Sequence, residues 1–190
     1  MSERAETPHQ APNAIRSVAI IGAGRRGRAF ALRCAQAGCA VVLEDVLSSK
    51  LRDAENELRA RGGEAVQHVR LASSVEDAVR EADVAVDFVP DELESKLEVF
   101  SMMDRMAPPK TIFLTPTALS ITDLASCTYR PEQCVAMESF AEELAGAVEL
   151  VRGEATSADT VQRVSAWLAS LGAAVRVSGD DRAPLLMRKV

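Results

Sequence analysis

Aromatic residues are scarce, one Trp, one Tyr and five Phe in 190 residues, and positive charge is in deficit, with 22 Lys and Arg against 28 Asp and Glu. A nucleic-acid surface usually needs a basic face or stacking rings, so nucleic acid is not an expected partner. Histidine is rarer still. Only His9 and His68 occur, which leaves the second half of the chain without an imidazole. Cysteine is confined to Cys34, Cys39, Cys127 and Cys134, which have neither metal-ligand spacing nor the density of a disulfide scaffold. They read as small apolar residues of a reducing compartment, and no metal site is expected. No apolar run approaches membrane-spanning length, and the polar stretch holding Pro8 and Pro12 has no signal-peptide core. The expectation is a cytoplasmic protein with no membrane partner and a disordered tail over residues 1–15.

What remains is globular in composition, 47% hydrophobic, and of a length that suits one domain. A chain of this size buries roughly 70% of its unfolded surface. It is organised around Ser17 to Gly27, an apolar run that breaks into Gly22, Gly24 and Gly27. In a strand–turn–helix unit the first glycine allows the turn, the second lets a pyrophosphate approach the backbone, and the third lets helix and strand pack. The helix N-terminus then supplies an anion site. Phe30 to Ala37 continues as a helix-compatible stretch, Gly38 ends it, and Ala40 to Leu43 forms a second strand. That strand closes in Glu44-Asp45, about 20 residues beyond the glycines, where a ribose-binding acid belongs. A carboxylate at Asp45 would repel a 2′-phosphate, which favours NAD over NADP.

Further along, Ser48 to Arg61 is rich in Leu, Ala, Glu and Arg and stops at Gly62-Gly63, as a surface helix should. A strand over Val69 to Ala72 precedes Ser73-Ser74-Val75-Glu76, whose spacing predicts a capping box on Ser73 and Glu76 and a helix to about Glu81. Val84 to Val89 is nearly all apolar and reads as a strand buried on both faces, ended by Pro90. Glu92 to Met106 places Leu93, Leu97, Phe100 and Met103 at helical spacing. Strands are expected at Thr111 to Leu114, Gln133 to Met137, Val148 to Val151 and Ala173 to Val177, with a short helix capped by Ser120 and a longer one capped by Thr156-Ser157-Ala158-Asp159 and running to Ser170. Strands alternating with helices at this spacing predict an α/β fold of Rossmann type, a doubly wound and mainly parallel sheet in a single domain over residues 16–190.

Several linked motifs, taken in order, resemble the NAD-binding domain of 3-hydroxyacyl-CoA dehydrogenases over about residues 16–190. They are Val18 to Gly27, Val86-Asp87-Phe88-Val89-Pro90 followed by Leu93 and Lys96, Leu119 to Leu124, and Val148 to Thr156. The resemblance implies NAD as cofactor, with Asp45 on the adenosine ribose and Lys96 near the nicotinamide-side ribose or phosphate. It places Thr117 at the family's hydroxyl residue and Glu138 at the family's base histidine. Glu149 matches the orienting glutamate if one residue has been deleted between them; otherwise Leu150 takes the place. Arg188 stands where the family has a substrate-contacting asparagine. The family's helical C-terminal domain has no counterpart in these residues, so a homo-oligomer or a partner chain is expected to replace it, with Leu185, Leu186 and Met187 as contacts or as residues packed on the sheet.

Each candidate has a plainer reading beside its functional one. If Glu138 and Glu149 face each other, like charges raise one pKa and leave a carboxyl able to act as acid or base; alternatively Glu138 sits at a solvated strand end without a chemical role. Thr117 is a substrate hydrogen-bond donor or a β-branched residue at a strand end. Arg25, Arg26 and Arg28 lie in the first helical turn, where the helix dipole disfavours each cation by about 0.3 to 1 kcal/mol. They either contact a bound anion or extend into water, the expectation for at least two of them. Asp91-Glu92-Leu93-Glu94 reads as a favourable acidic first turn. Three functions stay open: an oxidoreductase acting on a 3-hydroxyacyl or 3-oxoacyl thioester or related hydroxy acid, a non-catalytic NAD(H)-binding sensor or subunit, and a non-redox cyclase or lyase reusing the pocket.

Overall fold

Apolar strands separated by amphipathic helices bury themselves most simply as one sheet covered by helices on both faces. The computed structural model, which describes residues 14–138 and 146–182, has this arrangement. Its elements are β1 (Ser17–Ile21), α1 (Arg25–Gln36), β2 (Ala40–Glu44), α2 (Ser48–Arg61), β3 (Val69–Ala72), α3 (Val75–Val79) and β4 (Val84–Asp87). They continue with α4 (Leu93–Met106), β5 (Ile112–Pro116), α5 (Ile121–Ala125), β6 (Cys134–Glu138), β7 (Ala147–Arg152), α6 (Ala158–Ser170) and β8 (Ala174–Gly179). The eight strands form one sheet in the order β3-β2-β1-β4-β5-β6-β7-β8. Every pairing is parallel except β6 with β7. The strand order reverses between β1 and β4, and in such sheets the ligand crevice opens at the carboxyl ends of the strands at this point.

The two faces of the sheet carry separate cores. One gathers Ile20, Leu43 and Leu114 around Phe30 and Trp167, whose rings meet edge to face at 5.9 Å. The other gathers Ile21, Ala85 and Val151 around Phe100, Met103 and Phe113. Ile15 is already buried against the first core, so the packed chain begins before residue 16, where the sequence reading drew the boundary. Residues 1–13, and with them most of the expected tail, lie outside the described residues, as do Leu185, Leu186, Met187 and Arg188.

Local chemistry moves several predicted boundaries. The cap of α3 is Ser74, not Ser73: its backbone is extended and its hydroxyl accepts the Asp77 N–H at 3.3 Å. The fourth strand ends at Asp87 rather than Val89, because the Asp87 Oδ1 accepts the Val89 N–H at 2.9 Å and turns the chain, an Asx-type competition with the ladder. Glu92 occupies the cap position of α4, so Asp91 stands outside the helix whose first turn it was expected to join. The antiparallel β6–β7 pairing puts Glu138 directly opposite Glu149. Among the described residues, no helix is long and apolar enough to cross a membrane.

Candidate functional site

The turn after β1 is shaped by two glycines that no other residue could replace cheaply. Gly22 has φ +105°, in the region that L side chains avoid, and a Cβ there would lie 3.1 Å from the Phe88 backbone. At Gly27 a Cβ would lie 1.9 Å from the Gly22 carbonyl oxygen, so α1 can rest against the turn only because that atom is missing. Gly24, the cap residue of α1, is different: a Cβ would meet nothing within 4 Å, and the residue borders an open cleft. No side chain caps α1 and its first turn holds no acid, which leaves its N-terminal amides to an incoming anion.

Asp45 closes this turn from the side. Its Oδ2 accepts the Ala23 N–H and its Oδ1 the Leu47 N–H, both at 2.9 Å, joining the glycine turn to the start of α2. Each oxygen keeps a second lone pair for a ribose hydroxyl. The cleft beside it, about 750 Å³, is bordered by Gly22, Gly24, Arg26, Asp45, Phe88 and Pro116, within the size range of small-molecule and cofactor sites.

The three arginines divide. Arg28 is not in water: its Nε donates to Glu57 at 2.6 Å and its Nη1 to the Ala23 carbonyl at 3.0 Å, tying α1 to α2. Arg26 is exposed beside the cleft, with its guanidinium 6.0 Å from the Phe88 ring centroid, and Arg25 is exposed as well.

Lys96 departs furthest from its expected place. It is fully buried, with its Nζ 3.1 Å from Asp87 Oδ2, donating to Thr115 Oγ1 at 2.9 Å and to the Pro116 carbonyl at 3.3 Å. Burial pushes the Asp87 carboxyl up, with Lys96 opposing. Lys96 is therefore an internal strut holding the ends of β4 and β5, and in this arrangement none of its surface is open to a ribose or phosphate.

Thr117, next in the chain to the cleft residue Pro116, donates its hydroxyl to Asp91, which also borders the cleft. Asp91 also accepts the Ala118 N–H at 2.9 Å, while Thr117 Oγ1 accepts the Leu119 N–H at 3.0 Å. Sequence reasoning missed Asp91 by counting it as helix charge. No local signal marked it, because its partner Thr117 lies 26 residues further along the chain.

The comparison with known proteins settles the family. Residues 17–181 match the NAD-binding domain of 3-hydroxyacyl-CoA dehydrogenase. The chain belongs to this family. It is 30% identical over 174 residues to a probable 3-hydroxybutyryl-CoA dehydrogenase of Bacillus subtilis, covering 83% of this chain and 60% of that protein. Over 169 residues it is 31% identical to the L-carnitine dehydrogenase of Oceanobacillus iheyensis, covering 83% and 55%. The crystal structure of Escherichia coli 3-hydroxybutyryl-CoA dehydrogenase superposes with a TM-score of 0.81 at 25% identity, over 87% of this chain and 38% of that one. The chain thus spans 55 to 60% of the length of the two curated relatives. NAD is the cofactor of this NAD-binding domain, and the open Gly24, the uncapped α1 and the outward lone pairs of Asp45 fit it.

An ion pair stands at the carboxyl end of β6. Glu138, at the position that the resemblance assigns to histidine, pairs with the Arg182 guanidinium, which also lies 3.2 Å from Asp180 Oδ1. Asp180 in turn accepts the Ser120 hydroxyl at 2.7 Å and the Thr122 N–H at 2.8 Å. Burial alone would raise its pKa, but these donors hold the carboxyl below its usual range. Burial lowers the Arg182 pKa, with the Asp91 charge opposing. Glu138 and Glu149 are cross-strand register partners, the condition on which the paired-carboxylate reading rested, and Glu138 is paired with a cation. His68 ends the 3₁₀ turn leading into the start of β3, at the amino end of the parallel strands and so opposite the crevice at their carboxyl ends.

Proposed function

We propose that this domain is the cofactor-binding part of an NAD(H)-dependent oxidoreductase acting on a 3-hydroxyacyl or 3-oxoacyl thioester or a related hydroxy acid. The supporting observation is the Thr117–Asp91 hydrogen bond: Asp91 and Pro116, the chain neighbour of Thr117, border the same cleft as Gly22, Gly24 and Asp45. NAD, when bound, supplies the hydride acceptor. The Thr117 hydroxyl, oriented by Asp91 and the Leu119 N–H, is placed to bind a substrate oxygen, and Asp91 can take or return the proton of that hydrogen-bonded pair. Glu138 can join only if Arg182 turns from it toward substrate. The acyl half of the site is part of this proposal, because the chain spans little more than half of its relatives.

Incubating the protein with NADH and acetoacetyl-CoA, and following NADH absorbance, tests this reading. Turnover is expected, falling by about 100-fold or more in Thr117→Val and Asp91→Asn, the range for losing a positioned proton-transfer group. Full turnover in both variants would remove the pair from the mechanism, and full turnover in Glu138→Gln would remove Glu138. One observation favours a second reading, a cofactor-binding subunit without its own redox chemistry: Glu138 is tied down by Arg182. NADH binding without turnover on any hydroxyacyl substrate would select it.

A further inference from the structure

Glu44, the last residue of β2, holds the glycine turn through its backbone carbonyl, which accepts the Gly22 N–H at 2.9 Å, but its side chain is used neither there nor in the Glu138–Arg182 pair. It is 2% exposed, it borders the cleft, and its Oε1 has no hydrogen-bond partner among the described residues. A buried carboxyl oxygen without a donor loses its hydration with nothing in exchange, so its presence calls for an explanation. Strand alternation sends Glu44 to the face opposite Leu43, and its register neighbours Ile21 and Ala72 belong to the second core. The wall of the cleft beside it is apolar, formed by Ile21, Val75, Val99 and Met102.

An apolar slot with one hydrogen-bonding group, directly beside the acid assigned to the adenosine ribose, has the character of a purine site. Adenine offers flat apolar faces and an edge that places the N6 amino donor next to the N7 acceptor. The geometry points to Glu44 as the residue that reads this edge, its carboxyl accepting from the amino group and, when protonated, donating to the ring nitrogen. This rests on the domain's binding of NAD and goes beyond it by naming the group that recognises the base.

The electrostatics agree. Burial, and then the neighbouring Asp45 carboxylate, push Glu44 up to about 7. Both protonation states are therefore populated near neutrality. The charged groups that share the cleft are Arg26 from α1, Asp45, Lys50 from α2, Asp91, and Glu98 from α4. From β1, β3 and α3 the neighbours are the apolar Ile21, Ala72 and Val75. The protonated form makes both hydrogen bonds and adds no charge near the pyrophosphate, so affinity should fall as pH rises through the Glu44 transition.

Calorimetric titration with NADH and with reduced nicotinamide hypoxanthine dinucleotide, in which a keto oxygen replaces the amino group, tests the assignment. The wild-type protein should prefer NADH by about three- to tenfold, the worth of one well-made hydrogen bond. Glu44→Leu should bind both dinucleotides without preference. Glu44→Gln, whose amide keeps one acceptor and one donor, should retain the preference and lose the weakening of NADH binding on going from about pH 6 to about pH 8. A Glu44→Leu protein that still prefers NADH overturns the assignment. If that variant does not fold, an unchanged pH profile in Glu44→Gln overturns it instead. A wild-type protein that binds neither dinucleotide contradicts cofactor binding itself and this inference with it.

Discussion

Gly27→Ala is expected to destabilise the domain by about 3 kcal/mol or more, the upper range for overpacking, and to abolish NADH binding. Helix propensity argues the other way, since alanine is better than glycine in a helix by about 1 kcal/mol. The steric term wins because the new Cβ would lie 1.9 Å from the Gly22 carbonyl oxygen, and that atom belongs to the backbone and cannot rotate aside. Relief requires α1 to move off the turn, which also moves the amides that would hold a pyrophosphate. Gly24→Ala is the matching control. Its φ of -65° is ordinary and its Cβ would meet nothing within 4 Å, so the fold should keep its stability while the methyl intrudes where the dinucleotide passes. Urea unfolding followed by circular dichroism, paired with NADH titration, separates the two: loss of both properties in Gly27→Ala, loss of binding alone in Gly24→Ala. A Gly27→Ala protein as stable as wild type would refute the packing role given to this glycine.

Lys96→Met should cost about 3 to 5 kcal/mol, because it leaves the buried Asp87 carboxylate without its cation. The double variant Lys96→Met, Asp87→Leu should recover most of that loss, since replacing both members of a buried pair by apolar groups is often neutral. The pH dependence has a definite sign. Burial raises Asp87 above its ordinary value while Lys96 opposes the rise, so the folded state holds its proton more tightly than the unfolded chain. Stability contributed by this group is then lost as pH rises from the ordinary carboxyl range through the folded pKa. Removing Lys96 lifts Asp87 further, so the deficit of Lys96→Met should be largest near neutrality and shrink toward acid. Chemical denaturation over a pH series measures this; a deficit that grows toward acid would show that Asp87 is not the group left uncompensated.

The features legible in the sequence were those set by neighbours in the chain. The glycine turn follows from local sterics, α2 begins at Ser48 and ends at Arg61 as its composition and the following glycines predict, and Ser120 and Ser157 cap helices through amides three residues on. The misplaced features depend on partners remote in sequence. Asp91 reaches Thr117 across 26 residues, and Arg28 reaches Glu57 across 29. The Glu138–Arg182 pair requires the antiparallel β6–β7 reversal and the return through β8 before the two side chains meet. Lys96 is the instructive case. It falls on the same helical stripe as Leu93, Leu97, Phe100 and Met103, and a lysine on an apolar stripe signals a buried ion pair as readily as a ligand contact. The buried acid at the end of β4 was its natural partner, masked in the sequence by an otherwise apolar strand.

Where NAD lies is tested most directly by the structure of the NADH complex. The expected result is a dinucleotide extended along the cleft, its pyrophosphate against the turn from Gly22 to Gly24 and the first amides of α1, its adenosine ribose hydroxyls on Asp45, and its nicotinamide toward Thr117. A dinucleotide bound away from that turn, or a ribose making no contact with Asp45, would contradict it.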